Sequence, residues 1–493
     1  MIKVLSTKMM KDADNYAVSN VMPEIELIRK AGKAVFSQYH FKGKTLIIVG
    51  SGNNGGDGLA LAKLLKEDNK DVSILQLFPI TKPHLLELLS ECIDSFIPIY
   101  EYSSSFKFTG YDTFVDAIFG IGFKGELDGI TKEVVEKINS LRTYTISIDI
   151  NSGLNADNGI TKLAVVSDMT VAIGFVKPGL LLNDSKDYIK YLTCINIGIP
   201  YTGESYYLYN STDFNKEFPK RKYNSHKGTY GYVGIMGGSY KYSGSVKLSN
   251  LALVSLSVGA GVSRVIAPYA ICDSILPFLL ESTIFPITSN AENNFSFEED
   301  EIHSAITGLS ALGLGMGMGV SEDNCKIIEY ILLNYDKKLL IDADGLNNLS
   351  TMDLNLLNKS KADIVLTPHV KEFSRLINRS VEDILNNPIE YAIKFTEEYN
   401  VTLLLKGTAT IISKAGKVYI SATGSPALSK GGSGDILSGI ITGLMGYKDA
   451  LSSSISGAYI FGRCGDLALR KYGSYSPLPR DIINLLKEIM KKY

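Results

Sequence analysis

The sequence is poor in cysteine and has no excess of charge of either sign. Its five cysteines are scattered without a Cys-x-x-Cys spacing: Cys92, Cys194, Cys272, Cys325 and Cys464. Neither a zinc site nor a disulfide framework is predicted, and we expect a protein of the reducing cytoplasm. The formal net charge of -2 gives no electrostatic reason to expect nucleic acid, a membrane surface or another polyanion as partner.

Long apolar runs are also missing. Nowhere do about 18 apolar residues follow one another, as a membrane-spanning helix requires. Even the stretch ILSGIITGLMG at 436–446 is interrupted by Ser438 and by glycines. The first residues, MIKVLSTKMMKDADNY, become polar too soon for a signal peptide, so we expect a soluble protein without a leader. At 493 residues the chain is long enough for two or more globular domains.

Short apolar strands alternate with helical patterns along most of the chain. After residue 44, strand, glycine loop, helix and strand follow one another within about thirty residues, which is the pattern of a βαβ unit. The rhythm lapses in a polar, aromatic-rich segment and restarts at YGYVGIMGGS (230–239). The sequence therefore predicts an α/β protein with two parallel-sheet domains, over residues 1–210 and 217–493, divided near 205–220.

A glycine loop follows the first predicted strand of the βαβ unit. The residues from Gly50 to Gly55, GSGNNG, match the GxGxxG fingerprint of dinucleotide-binding folds. The next strand, however, ends in QLF at 76–78, with no acid for a ribose hydroxyl. A tight turn without a ligand is one alternative, but Asn53, Asn54 and Asp57 can each bond a ligand or a cation.

Polar residues also follow two later strands of the first domain. Asp116 precedes a glycine loop, and Asp149 and Ser152 end the strand SIDINS. Because ligands bind beyond the carboxyl ends of parallel strands, these residues and the first glycine loop are expected to form one pocket. Asp149 alone could instead cap a helix or form an Asx-turn.

The stretch SKGGSGDILSG (429–439) places an acid at the start of a predicted helix. The unpaired amides of the first helical turn stabilise phosphate, and glycines let phosphate oxygens approach the backbone. Asp435, held there as a carboxylate, can accept the proton of a substrate hydroxyl. The pattern is typical of phosphoryl transfer to an alcohol; the alternative is an ordinary capping acid.

Three further features of the second half carry open alternatives. Asp342 and Asp344 end a strand with both side chains expected on one face, as a metal or phosphate–water site requires, but Asp-x-Asp is also common in turns. His369 is either a ligand-binding residue or a helix cap. Lys406 and Gly407 precede a predicted hairpin and are either nucleotide-binding or turn residues.

The first half of the chain resembles a known family. GSGNNGGDGLALAKLL, DAIFGIGFKGEL and IDINSGLNADNG are similar to the YjeF N-terminal domain, the NAD(P)H-hydrate epimerase, which has a Rossmann-like fold. That family interconverts the R and S forms of nicotinamide nucleotides hydrated at C6. The resemblance implies that Asp149 acts at the reacting carbon, and that Asn54, Asp116 and Ser152 hold a potassium ion. It also implies that these residues bind the hydrate: Asn53, Asn54, Gly55, Gly56, Asp57, Gly120, Ile121, Gly122, Phe123, Lys124, Gly125, Glu126 and Asp149. Asn151 stands where the family usually has proline.

The second half resembles the NAD(P)H-hydrate dehydratases of the ribokinase-like superfamily. The similarity lies in HKGTYGYVGIMGGSYKYSGS, LLIDADGLNNL, VLTPHVKEFSRL and TGSPALSKGGSGDILSGII. It implies dehydration of the S hydrate to NADH or NADPH, driven by ADP or ATP with Mg²⁺, and release of AMP and phosphate when ADP is used. By the same resemblance, Asp435 is the base and contacts the hydrate together with Ser245, Gly317 and His369. The implied nucleotide-binding residues are Lys406, Gly407, Thr408, Ala409, Thr410 and Gly434.

Taken together, the chain resembles the bifunctional enzymes that repair hydrated nicotinamide nucleotides. Its expected partners are small molecules, namely NADHX, NADPHX and ADP or ATP, and we expect a homo-oligomer. One alternative is a small-alcohol kinase of the ribokinase-like superfamily with an accessory N-terminal domain. Another is a nucleotide sensor without catalysis, which the presence of Asp149 and Asp435 disfavours.

Overall fold

The computed structural model describes residues 1–218, 222–255 and 260–491. Two units are distinguished by their internal contacts, one over Ile2–Tyr206 and the other beginning at Tyr207. In the described residues no helix is long and apolar enough to cross a bilayer.

The first unit is an α/β structure with a parallel sheet. Its strands are β1 (Ile2–Val4), β2 (Lys44–Val49), β3 (Asp71–Gln76), β4 (Ile99–Glu101), β5 (Thr113–Ala117), β6 (Tyr144–Ile148), β7 (Met169–Ile173) and β8 (Leu192–Ile195). Its helices are α1 (Thr7–Asn20), α2 (Glu24–Gln38), α3 (Asn53–Glu67), α4 (Pro83–Asp94), α5 (Gly129–Ser140) and α6 (Ser185–Tyr188). The strand order β4-β3-β2-β5-β6-β7-β8, parallel throughout, agrees with the predicted Rossmann-like domain.

The central strand β2 is buried on both of its faces. Ile47 and Val49 belong to one hydrophobic cluster, whereas Leu46 and Ile48 belong to another. Alternate residues of a strand point to opposite faces, so each face of the sheet has its own apolar layer. This explains why the strand KTLIIV is an almost continuous apolar run.

The second unit is also built on a largely parallel sheet. Its strands are β9 (Tyr206–Leu208), β10 (Tyr232–Met236), β11 (Val262–Pro268), β12 (Ser282–Ile287), β13 (Ala311–Leu314), β14 (Lys338–Ile341), β15 (Asp363–Leu366), β16 (Val401–Leu405), β17 (Thr410–Lys414) and β18 (Lys417–Ser421). Its helices are α7 (Ser211–Glu217), α8 (Ser243–Ser255), α9 (Tyr269–Ile275), α10 (Glu299–Ile306), α11 (Glu322–Asn334), α12 (Asp344–Leu349), α13 (Leu356–Lys359), α14 (Val370–Ile377), α15 (Val381–Asn386), α16 (Pro388–Glu398), α17 (Ser433–Met445), α18 (Ala450–Tyr472) and α19 (Pro479–Met490).

Strands β16-β15-β14-β13-β10-β11-β12 run parallel in that order, while β16-β17-β18 form antiparallel pairs at one side. Helix α17 is buried along most of its length and packs closely on α8. A side chain at Gly439 would stand only 2.1 Å from the carbonyl oxygen of Ser249. The close approach fixes the beginning of α17, and with it Asp435, relative to α8.

The segment between the predicted domains is more ordered than its sequence indicates. It contains β9, α7 and a short 3₁₀ helix over Lys227–Tyr230, whereas the lack of periodicity predicted a plain connection. Asn210 caps α7 through a capping box with Asp213, which is the local signal for this helix. Residues 219–221 of this segment lie outside the described residues.

Candidate active sites

Close backbone contacts shape the first glycine loop. A Cβ atom on Gly50 would lie 2.0 Å from the carbonyl oxygen of Ile118, and one on Gly55 would lie 2.1 Å from the carbonyl oxygen of Gly50. Larger residues do not fit at either position. Helix α3 begins directly after Gly52, so the amides of its first turn are presented at the carboxyl end of β2.

A cavity of about 790 Å³ opens at this edge of the first sheet. Of the predicted hydrate-binding residues, those that line it are Asn53, Asn54, Asp57, Gly120, Ile121, Gly122, Phe123, Lys124 and Asp149. Gly55 and Gly56 are buried beside it. Gly125 and Glu126 do not line it in the described chain, and the exposed Glu126 pairs with Lys162 at 2.6 Å. The structure therefore brings most of the predicted set together.

Asp149 stands in a constrained turn at the end of β6. Its φ of 67° lies in the left-handed region, which aspartate tolerates better than most residues. Its Oδ1 atom accepts hydrogen bonds from the amide of Ile173, at 3.0 Å, and from the ammonium group of Lys177. Lys177 is fully buried and also donates to the Ile173 carbonyl at 3.0 Å. These two donors hold the carboxyl group of Asp149 at the cavity wall.

The three predicted potassium ligands lie together below this cavity. Asp116 is fully buried and accepts hydrogen bonds from the hydroxyl and the amide of Ser152, at 2.6 and 2.8 Å. Burial raises the pKa of Asp116, and the bonds from Ser152 oppose that rise. Asn54 donates to the carbonyl of Phe119 at 2.8 Å, and its buried Oδ1 has no hydrogen-bond partner among the described residues. An unpaired buried oxygen near a hydroxyl and a buried carboxyl suits a monovalent cation.

Asn151 explains how the turn forms without the family's proline. Its side-chain amide is fully buried and bonds four groups. It donates to the Val165 carbonyl, the Ser167 hydroxyl and the Tyr188 carbonyl at 2.8, 2.9 and 3.2 Å, and it accepts from the Thr170 hydroxyl at 2.6 Å. The amide thus fastens the segment between Asp149 and Ser152 to the following chain.

The second site lies at the N-terminus of α17. Gly432, with a φ of 91°, turns the chain into the helix, and Asp435 is in its first turn. Ser245 faces Asp435, and its hydroxyl lowers the pKa of that carboxyl. A Cβ atom on Gly317 would lie 2.9 Å from the Cβ of Ser245, so this glycine loop reaches the same place. The structure therefore brings together three of the predicted hydrate contacts.

A buried ion pair faces Asp435 and Gly434. Lys406 donates to Asp342 at 2.8 Å, and the hydroxyl of Ser438 donates to the other oxygen of Asp342 at 2.5 Å. A Cβ atom on Gly434 would lie 3.7 Å from the Nζ of Lys406. Burial opposes the charge of Lys406, but Asp342 and Glu372 raise its pKa above the ordinary value. A charged ammonium group therefore stands beside the amides of the helix N-terminus, as an anion site requires.

The acidity of Asp435 is set by its surroundings. Burial first, and then the charge of Asp342, raise the pKa of Asp435 to about 7, against the opposing effects of Ser245 and Lys406. A carboxyl with a pKa near neutrality matches the requirement for a general base at physiological pH. In this environment Asp435 is more basic than an exposed aspartate.

His369 is a helix cap, one of the two alternatives for this residue. Its Nδ1 accepts the amide of Glu372 at 3.1 Å, and the Glu372 carboxylate accepts the amide of His369 at 2.8 Å. Burial and the charge of Lys406 lower the pKa of His369, which favours the neutral ring. The side chain is 49% exposed, which leaves an edge for a ligand. The backbone of Lys406 pairs beside it, its amide donating to the Pro368 carbonyl at 2.9 Å.

The remaining predicted residues occupy the same strand ends. Asp344 follows Ala343, which has a φ of 50°, and its carboxylate accepts the amide of Gly319 at 2.9 Å. Its charge, like that of Asp342, raises the pKa of Asp435. Gly407 and Thr408 are exposed after β16, whereas Ala409 is buried and Thr410 begins β17.

Four residues of these sites were missed by sequence reasoning. Lys177, Glu372, Ser438 and Asp14 approach the predicted residues only in the folded chain. The spacing from His369 to Glu372 is that of a capping box, and it could have been found. The other three have no local signal, because their partners lie far away in sequence.

Comparisons with known proteins match both halves of the chain to described families. A family model described as NAD(P)H-hydrate dehydratase matches residues 233–488, and one described as YjeF-related protein N-terminus matches residues 24–179. The bifunctional NAD(P)H-hydrate repair enzyme Nnr of Moorella thermoacetica is 30% identical, over 98% of this chain and 95% of that protein.

Two solved structures resemble 58% of the chain. One is an ADP/ATP-dependent NAD(P)H-hydrate dehydratase from Bacillus subtilis, co-crystallised with ATP and Mg²⁺, with 24% identity, a TM-score of 0.51 and 98% of that chain covered. The other is a ribokinase-like superfamily protein from Enterococcus faecalis, with 25% identity, a TM-score of 0.50 and 96% of that chain covered.

The fold and the sites define a two-domain α/β enzyme with a ribokinase-like second domain. More particularly, the chain belongs to the bifunctional NAD(P)H-hydrate repair enzymes.

The bonds of Asn151 lead to a prediction about stability. Replacing Asn151 by alanine leaves several buried polar groups unpaired, and we expect the free energy of unfolding of the first domain to fall by about 2 kcal/mol. Chemical denaturation measures the change. Asn20→Ala, at an exposed position, is the control and is expected to change stability by less than about 0.5 kcal/mol. Equal stability of Asn151→Ala and the wild type would contradict the assignment.

Proposed function

We propose that the two domains, residues 1–210 and 217–493, perform successive steps in restoring hydrated nicotinamide nucleotides. The first interconverts the R and S forms of NADHX and NADPHX. The second dehydrates the S form to NADH or NADPH at the expense of ADP or ATP, releasing AMP and phosphate when ADP is used. The observation that carries the proposal is that each domain holds an aspartate at its predicted site: Asp149 bound to a buried lysine, and Asp435, with a pKa of about 7, at a helix N-terminus.

In the second domain Asp435 takes the proton of the C6 hydroxyl while the terminal phosphoryl group moves onto that oxygen. The leaving nucleotide keeps the electrons of the broken phosphorus–oxygen bond. The C6–O bond then breaks, phosphate departs, and loss of a proton from C5 forms the double bond of the reduced nicotinamide. The amides around Gly434 and the ammonium group of Lys406 stabilise the phosphate charge.

The residues that line the two sites support the implied ions to different degrees. Asn54, Asp116 and Ser152 would hold potassium in the first domain through the unpaired Asn54 oxygen and its neighbours. In the second, no group of three or more acidic, histidine or cysteine side chains is arranged to hold a metal among the described residues. Mg²⁺ bound with the nucleotide would neutralise phosphate charge, and the protein would provide only one or two ligands. The Bacillus subtilis neighbour, co-crystallised with ATP and Mg²⁺, supports this form of binding.

A kinase for a small alcohol is the alternative, because the α17 N-terminus and Lys406 would also suit it. Membership of the repair-enzyme family and the second carboxylate site around Asp149 favour repair. Incubating the protein with hydrated NADH and ADP or ATP, and following the absorbance of reduced nicotinamide, tests the proposal. Absence of recovery together with phosphorylation of a vitamin-precursor alcohol would reverse it.

The homo-oligomeric state and the cytoplasmic location stay predictions.

Asp435→Asn tests the base of the dehydration. Asparagine cannot accept the hydroxyl proton, so we expect kcat for the S hydrate to fall by at least about 100-fold while adenine-nucleotide binding is retained. The control is Asp323→Asn, which removes an acid from the first turn of α11 and should leave the rate unchanged. Dehydration by Asp435→Asn at the wild-type rate would contradict the role assigned to Asp435.

Asp342→Asn tests how the pKa of Asp435 is set. After burial, the Asp342 charge contributes most to raising that pKa, so its removal lowers the pKa of Asp435 below about 7. Because the base must be ionised, dehydration rises with pH through this pKa, and the acid limb of the profile should shift to lower pH. The pH dependence of kcat/KM for the S hydrate measures the shift. An acid limb that stays at the same pH, or that shifts to higher pH, would contradict the role of Asp342.

Asp149→Asn distinguishes the activity of the first domain from that of the second. We expect conversion of the R hydrate to slow by at least about 100-fold, because the ionised carboxylate is lost. Dehydration of the S hydrate by the same protein should be unaffected. Thermal unfolding is recorded in parallel, since the change leaves the buried Lys177 without its partner. Slowing of both reactions in a folded variant would contradict separate sites.

A further inference from the structure

Helix α1 brings a carboxyl group to the first cavity that the sequence motifs do not include. Met10, Asp14 and Val18 recur at intervals of four residues, so they lie along one face of the helix, and all three line the cavity together with Lys11 and Asn15. Asp14 is therefore a cavity residue, although it lies about forty residues before the first glycine loop in the sequence. Only the fold brings the two together.

The beginning of α1 is fastened to the segment that carries Lys177. The amide of Leu5 donates to the carbonyl of Val176 at 2.9 Å, and Val176 directly precedes Lys177 in the chain. Ser6 caps α1, and the amide of Thr7 donates to the carboxylate of Asp157 at 2.6 Å. These contacts hold the helix, and hence Asp14, at a fixed position relative to the Asp149–Lys177 pair.

The surroundings of Asp14 raise its pKa. Burial first, and the charge of Asp149 second, raise the pKa of Asp14 to about 6; Lys177 opposes this and Glu24 adds to it. Asp57 also faces the pair, and burial followed by the charges of Asp149 and Asp14 raises its pKa well above the ordinary value. Within residues 1–206, all of which are described, no hydrogen bond reaches the carboxyl of Asp14.

Asp14 and Asp149 thus share a cavity but differ in their partners. Asp149 has a buried ammonium group and a backbone amide as donors, whereas Asp14 has neither. Two carboxyls of one cavity that differ in this way suit an acid and a base acting together. The pair that epimerisation at a hydroxyl-bearing carbon requires is a proton donor for the departing hydroxyl and an acceptor for the entering water.

We propose that Asp14 is the general acid of the epimerase reaction and that Asp149 is its base. Asp14 gives its proton to the C6 hydroxyl, the C6–O bond breaks, water leaves, and the lone pair of the ring nitrogen forms the C=N bond of an iminium ion. Water then adds to C6 from the other face and gives its proton to Asp149, and exchange with solvent restores both carboxyls. In the reverse direction the two residues exchange roles. The inference rests on the epimerase activity proposed above.

The test uses the full chain with the R hydrate and no adenine nucleotide, so that only epimerisation is observed by chromatographic separation of the two forms. Asp14→Asn is expected to slow interconversion by at least about 100-fold. Asp14→Glu, which keeps a carboxyl on the same helix face, should retain part of the rate. Asp12→Asn, an exposed acid two residues away on α1, is the matched control and should match the wild type.

Three further readouts distinguish chemistry from structure. The rise in thermal unfolding temperature on adding the R hydrate should persist in Asp14→Asn, showing that the first domain is folded and binds. The wild-type rate should fall as pH rises, because Asp14 must be protonated, and Asp14→Asn should lose this dependence. In heavy-oxygen water, the epimerised product should carry the label at C6.

Wild-type interconversion by Asp14→Asn, equal losses in Asp14→Glu and Asp14→Asn, or an unlabelled product would overturn the inference while leaving epimerase activity intact. Failure of the wild-type protein to interconvert the two hydrates would instead contradict the proposed function itself.

Discussion

An ion pair between a lysine and a largely buried aspartate is the interaction on which both sites depend. Lys177 holds Asp149 at the end of β6, and Lys406 holds Asp342 after β14. Removing one partner of a buried ion pair leaves an uncompensated charge, which is far more costly than the loss of a surface pair. The pairs therefore constrain the strand ends as well as the charge at each site.

The two pairs serve different chemistry. In the first unit the carboxylate bound to Lys177 is the group proposed to react with the hydrate. In the second unit the carboxylate bound to Lys406 is a neighbour of the proposed base. The negative charge of Asp342 raises the pKa of Asp435, while Lys406 of the same pair opposes that rise.

Sequence reasoning is most reliable here where backbone geometry dictates residue type. Gly50 and Gly55 have no room for a side chain, and Asp435 stands at a helix terminus, so these positions are visible as motifs. Partners brought together by tertiary structure are not visible in this way. Lys177 meets Asp149 only because β6 and β7 are adjacent, and Asp14 arrives on a helix that precedes the first motif. The cap formed by His369 shows a third case, in which a local spacing supports one of two open alternatives.

The central claim is that one chain carries two complete sites that act in sequence. Supplying the pure R hydrate with ADP or ATP, and following both the S form and the absorbance of reduced nicotinamide, tests it most directly. The account predicts that the S form appears first, and that reduced nicotinamide then accumulates, after a lag, until all of the hydrate is consumed. Failure of the R hydrate to react, or reduced nicotinamide that appears without any S form, would contradict it.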